Sequence, residues 1–195
     1  DAGVHALGQV ANFKTNSNIA IDKIPIAINS QVKNSIRIQN AEEVDENFHS
    51  RFNCKRKTYR YVIDNSKYGS AIYRNISYHM PIKLNVEEMK KAIKYFEGEH
   101  DFKAFKSSGT SSKSSVRTIY KADVLAEGEN IAIDLTGNGF LYNMVRIIAG
   151  TLVEVGLGKI KAEDIPSIIE GKDRTKAGKT LPPNGLMLLS VEYDT

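Results

Sequence analysis

The chain has 195 residues, 41% of them hydrophobic and 26% charged, which excludes a disordered or fibrous protein and leaves room for one large domain or two small ones. Its 27 basic against 23 acidic side chains give a net charge of +4, a modest excess that permits an anionic partner without requiring one. A single cysteine, Cys54, excludes an intrachain disulfide framework, and the four histidines have no zinc-like spacing. No apolar run approaches the roughly 20 residues that span a bilayer, and the start has no signal-peptide pattern, so a cytoplasmic location is expected.

In chain order, Asp1-Ala2-Gly3 places a carboxylate on a glycine-containing turn before the apolar Val4 to Val10. Gln9 to Lys14 alternates loosely and reads as a strand. Ile21, Ile24, Ile28 and Val32 recur at three- and four-residue steps, a helical face beginning near Pro25. Ile36 to Val44 reads as extended. From Phe48 to Ile63 the chain is at its most basic, and in the second half of that block Tyr59, Tyr61 and Ile63 alternate with Thr58, Arg60 and Val62 as in a strand. Two readings of those tyrosines stand: rings half-buried in a core, or a platform for stacked bases beside phosphate-binding cations.

A helix follows, capped by Asn85, acidic at Glu87 and Glu88, apolar at Val86, Met89, Ile93 and Phe96, and ended by Gly98. Lys106 to Ser115 has almost no apolar content and reads as a mobile loop. Val116 to Ala126 and Asn130 to Gly137 form an expected antiparallel pair turning at Gly128-Glu129. Phe140 to Val155 is apolar at helical spacing around one cation, Arg146, which must find an anion or reach water. A third helix over Ala162 to Glu170 and a closing strand over Leu186 to Tyr193 complete the chain.

Phosphate loops, dinucleotide fingerprints and nucleophile elbows are all missing, so catalysis is expected to rest on a carboxylate, and Asp1 is the candidate. Arg146 is its natural partner, because a nearby guanidinium keeps an aspartate ionised and binds both its oxygens.

Six motifs then carry a resemblance: Asp1-Ala2-Gly3-Val4-His5-Ala6 with Gly8-Gln9-Val10; Phe48-His49 with Arg51-Phe52; Tyr59-Arg60-Tyr61; Gly98, His100-Asp101-Phe102 and Ala104-Phe105; Phe140 to Arg146; and Gly185-Leu186. Together they resemble the tRNA pseudouridine synthase A family from the first residue to the last. The resemblance implies an isomerase that converts uridine to pseudouridine on the 3′ side of the tRNA anticodon stem-loop, using no metal or organic cofactor, as a homodimer. It places the catalytic aspartate on Asp1, the active-site tyrosine on Tyr59, the arginine that pairs with the aspartate on Arg146 and a pocket-lining leucine on Leu186. Phosphate contacts are expected from the basic stretch, at Arg51, Lys55, Arg56 and Arg60. The implied fold is α+β, a mainly antiparallel sheet with helices on one side, in two related subdomains: 1–46, the remainder of an N-terminal one, and 47–195. In the family an Arg-Thr pair and a further segment precede the aspartate, so this 195-residue stretch is expected to start part-way through the motif and to be nearly inactive alone. The competing reading is a non-catalytic RNA-binding module, and the two part over whether Asp1 is needed for turnover.

Overall fold

The computed structural model describes residues 2–109 and 114–194. Asp1 and the centre of the serine-rich stretch therefore lie outside the described residues. The chain divides into two compact units, Asp1–Gln9 with Cys54–Thr195, and Val10–Asn53.

The regular elements in chain order are β1 (His5–Ala6), α1 (Ile24–Asn29), β2 (Arg56–Asp64), β3 (Tyr78–His79), α2 (Val86–Lys94), β4 (Gly98–Asp101), β5 (Val116–Glu127), β6 (Asn130–Gly137), α3 (Met144–Gly156), α4 (Ile165–Gly171) and β7 (Leu186–Glu192). All except α1 belong to the larger unit. Its seven strands form one mixed sheet ordered β1-β7-β2-β6-β5-β4, with β3 beside the end of β2. β1 with β7 and β2 with β3 run parallel; the other pairs are antiparallel, as the sequence implied.

Alternation sets which side of this sheet is covered. Tyr61 and Ile63 of β2, Ile131, Ile133 and Leu135 of β6, and Ile119, Ala122 and Val124 of β5 are buried in one cluster with Met89 and Ile93 of α2, Ile147, Ile148 and Leu152 of α3, and Ile165 and Ile169 of α4. The intervening residues are mostly polar and half-exposed or exposed. Arg60 pairs there with Asp134, directly opposite it on β6, through two 2.7 Å hydrogen bonds.

Local chemistry sets the helix limits. The Asn85 side chain accepts the Glu88 backbone N–H at 3.2 Å to open α2, and Gly98, at φ +105°, begins the next strand. The expected helix from Phe140 starts at Met144 instead. Asn143 holds a left-handed backbone, φ 62°, which no α-helix can pass through.

The smaller unit departs further from the sequence reading. Neither the stretch after Gln9 nor 36–44 is a strand. Ile24 and Ile28 are half-buried on α1 and Ile26 is exposed; none of the described residues of this unit is fully buried. Polar side chains do the backbone's work here: Asn29 both donates to the Ile38 carbonyl (2.9 Å) and accepts its N–H (2.8 Å). Among the described residues no helix is long and apolar enough to cross a membrane, and no group of three or more His, Cys, Asp or Glu side chains could hold a metal.

Candidate active site

The site is organised by an irregular segment, 178–186, that runs along α3 and then becomes β7. Two glycines let backbone meet backbone. A Cβ on Gly150 would sit 1.9 Å from the Lys179 carbonyl oxygen, and one on Gly178 would sit 2.5 Å from the Gly150 carbonyl carbon. The Thr151 hydroxyl accepts the Gly178 N–H at 2.8 Å and fixes the depth of the approach. One turn nearer the start of α3, Leu181 lies beside Arg146, donating its N–H to the Arg146 carbonyl at 3.3 Å. The Arg146 side chain returns the contact, with Nε donating to the Leu181 carbonyl at 2.6 Å and one terminal nitrogen to Asn143 Oδ1 at 2.7 Å. Arg146 thus finds a carbonyl and a carboxamide in its apolar surroundings, and no anion among the described residues.

Tyr61 anchors the next stretch. Its hydroxyl donates to the Pro182 carbonyl at 2.8 Å, and Gly185 lies flat against its ring, where a Cβ would come within 2.7 Å of Cζ. Leu186 stands opposite Tyr61 in the β2–β7 register and is buried. The start of the chain arrives at the same segment. Gly3, at φ +82°, lies 3.0 Å at its Cβ position from Pro183 Cγ, Val4 joins the core, and His5 and Ala6 pair with Met187 and Leu188. Residues 181–186 therefore touch Arg146, Tyr61 and the neighbours of Asp1, and carry Leu186.

Tyr59 is two pairs earlier on β2, opposite Leu188, half-buried and edge-on to Phe140 with ring centroids 5.3 Å apart. Burial, reinforced by Cys54, raises its phenol pKa, so it is a neutral hydroxyl at physiological pH. That hydroxyl makes no hydrogen bond among the described residues. Burial drives the Tyr61 phenol up much further; the Arg146 charge is close enough to oppose the shift, and Tyr78 adds to it. Of the two tyrosines, Tyr61 is core and Tyr59 presents a half-open ring.

The basic residues fare unevenly. Arg60 is spent on Asp134, and Lys55 pairs with Asp194 at 2.7 Å. Arg56 lies 5.0 Å over the Tyr120 ring. Arg51 belongs to the smaller unit, where it is exposed with its guanidinium 5.7 Å over Phe52.

Sequence reasoning missed three contributors. The 65–77 loop is tied to the site by Asn184, whose amide donates to the Arg74 and Ser77 carbonyls (3.1 and 2.5 Å), and by His5, 2.7 Å from the Asn75 carbonyl. Between that loop and Pro182 and Asn184 is a cavity of about 550 Å³ lined also by Asp64, Arg74, Tyr78 and His79. Alternation alone does not separate Tyr61 from Tyr59; the resemblance singles out Tyr59 and leaves the anchoring role of Tyr61 unread. Asn143 was passed over, although an Asn three residues before a lone Arg has the spacing of a paired helical contact.

A family-wide sequence profile described as tRNA pseudouridine synthase matches residues 92–194. Curated relatives match almost the whole chain: tRNA pseudouridine synthase A of Ruminiclostridium cellulolyticum is 55% identical over 99% of this chain and 79% of its own length. The chain belongs to the tRNA pseudouridine synthase family. The family's enzyme from Caldicellulosiruptor saccharolyticus is similar at 54% over the same shares, and that of Bacillus subtilis at 43% over 100% of this chain and 78% of its own. The family profile takes in Asn143, Arg146 and the 178–186 segment with Leu186, while Tyr59 and Arg51 lie before its first matched residue.

Proposed function

We propose that this member of the tRNA pseudouridine synthase family isomerises uridine on the 3′ side of the anticodon stem-loop, with Asp1 as the reacting carboxylate. One observation carries the assignment: the 181–186 segment holds Arg146 at Leu181, rests on Gly3 at Pro183 and presents Leu186. Gly3, two positions after Asp1 in the sequence, meets the same segment that fixes the arginine.

The chemistry suits these groups. The C1′–N1 bond of uridine breaks, a C1′–C5 bond forms, C5 loses a proton and N1 gains one, so the reaction balances without an oxidant, reductant or carried group. A paired uridine must first leave its stack, at a cost of a few kcal/mol. Tyr59 offers a half-buried ring and a neutral hydroxyl to the extruded base, and Leu186 an apolar wall. Arg146 is assigned to hold Asp1 ionised and oriented. Arg51, exposed on the smaller unit, is assigned to tRNA phosphate. Two copies sharing one tRNA, in the cytoplasm, complete the proposal.

The deciding experiment is Asp1→Asn in the full-length protein, assayed on an unmodified tRNA. Pseudouridine formation should vanish while tRNA affinity stays unchanged. Turnover at the wild-type rate would refute the assignment and favour a non-catalytic RNA-binding module.

A further inference from the structure

We propose that Asn143 is a positioning residue for the isomerisation, which locks the Arg146 guanidinium and ties it to the serine-rich segment through Ser107. The inference rests on the assignment of Arg146 to the site.

Asn143 immediately precedes α3, where an asparagine ordinarily caps the helix, yet its side chain makes no capping hydrogen bond. It is held instead in the left-handed region at φ 62°, an unfavourable conformation for any residue with a Cβ. Both ends of its carboxamide are used elsewhere. A guanidinium can only donate, so Oδ1 faces Arg146 at 2.7 Å, and Nδ2 is left to donate to the Ser107 hydroxyl at 3.0 Å. Ser107 is itself pinned, its N–H donating to the Tyr142 carbonyl at 3.1 Å.

The result is a planar fork fixed at two of its three nitrogens, Nε on Leu181 and Nη1 on Asn143. Among the described residues Nη2 makes no hydrogen bond. A rigid guanidinium held this way offers its remaining donors in one direction, which is what orienting a carboxylate requires. Loss of Asn143 leaves Arg146 charged and attached through Nε but free to swing.

The variant of choice is Asn143→Gly, because glycine adopts the left-handed backbone without cost and only the carboxamide is lost. In the full-length protein, the single-turnover rate of pseudouridine formation should fall about 10- to 100-fold, the loss expected when a reacting group is misplaced by an ångström. tRNA affinity and melting temperature should stay at wild-type values. In an Arg146→Lys background the same change should slow the reaction no further, since Asn143 acts through the guanidinium. Asn143→Asp gives a second readout: it adds a carboxylate that competes for Arg146, so the acid limb of the rate profile should move to higher pH. Wild-type turnover by Asn143→Gly, an equal loss in both backgrounds, or an unmoved acid limb in Asn143→Asp would each overturn the role of Asn143. A wild-type rate for Arg146→Lys alone would instead overturn the assignment of Arg146.

Discussion

At the scale of single residues, the site depends on side chains that are absent as much as on those present. Gly150 lets the 178–179 backbone lie on α3, and everything downstream inherits that position: the Leu181 carbonyl under Arg146, the Pro182 carbonyl at Tyr61, and Leu186. Gly150→Ala would drive a methyl group into the Lys179 carbonyl, and helix propensity, which favours alanine, offsets little of the clash. We expect a loss of about 3 kcal/mol, the upper end for overpacking, in urea unfolding, together with a fall in turnover. Unchanged stability would mean that the segment does not rest on the helix as described. Such contacts are hard to read in a sequence. Gly150 sits within an apolar helical run, where nothing local separates a close approach from an ordinary small residue.

Among the elements, the hairpin of β4 and β5 is fastened at its base by Asp101. Its carboxylate accepts the Lys103 N–H at 3.2 Å and the Ser115 hydroxyl, and pairs at 2.8 Å with Lys172, the residue that ends α4. The Lys172 ammonium first, and the Ser115 hydroxyl after it, hold Asp101 below the usual carboxylate range. A carboxyl whose folded pKa is depressed adds stability that is complete above its unfolded pKa and is lost as pH falls through the folded one. Asp101→Ala should therefore cost about 1–2 kcal/mol near neutrality, the range for a lost cap, and the gap to wild type should close as melts are taken below the carboxylate range. A gap constant with pH would remove the charge from this account. β2, β5, β6, α2 and β7 were legible because each buries one face and its apolar spacing says so. The start of α3 was misplaced by four residues because Asn143 breaks a pattern that Phe140 and Leu141 continue. Arg146 and Leu186 carried no local mark of function beyond a cation in apolar company; family resemblance singled them out.

Over the whole molecule, the two units differ in what holds them. The larger has a continuous apolar core; the smaller has no fully buried residue among those described and leans on side-chain-to-backbone bonds such as those of Asn29. Few buried contacts mean low local opening energies, so amide hydrogens in 10–53 should exchange far faster than those of β2 and β6 when followed by mass spectrometry. Equal protection in both would contradict this. The same contrast explains why the two strand readings failed there, with no core to enforce an extended element, while the isoleucine spacing did mark the short α1. In the sheet, the first strand lies beside the last, His5 against Met187. Pairing so distant in sequence is slow to find, because almost the entire chain must be ordered first. A growing polypeptide would thus carry Arg146 and Tyr59 well before the leucine strand has been made to receive the opening turn. On the proposed assignment, turnover has to wait until β7 has been synthesised and the opening turn has docked against it.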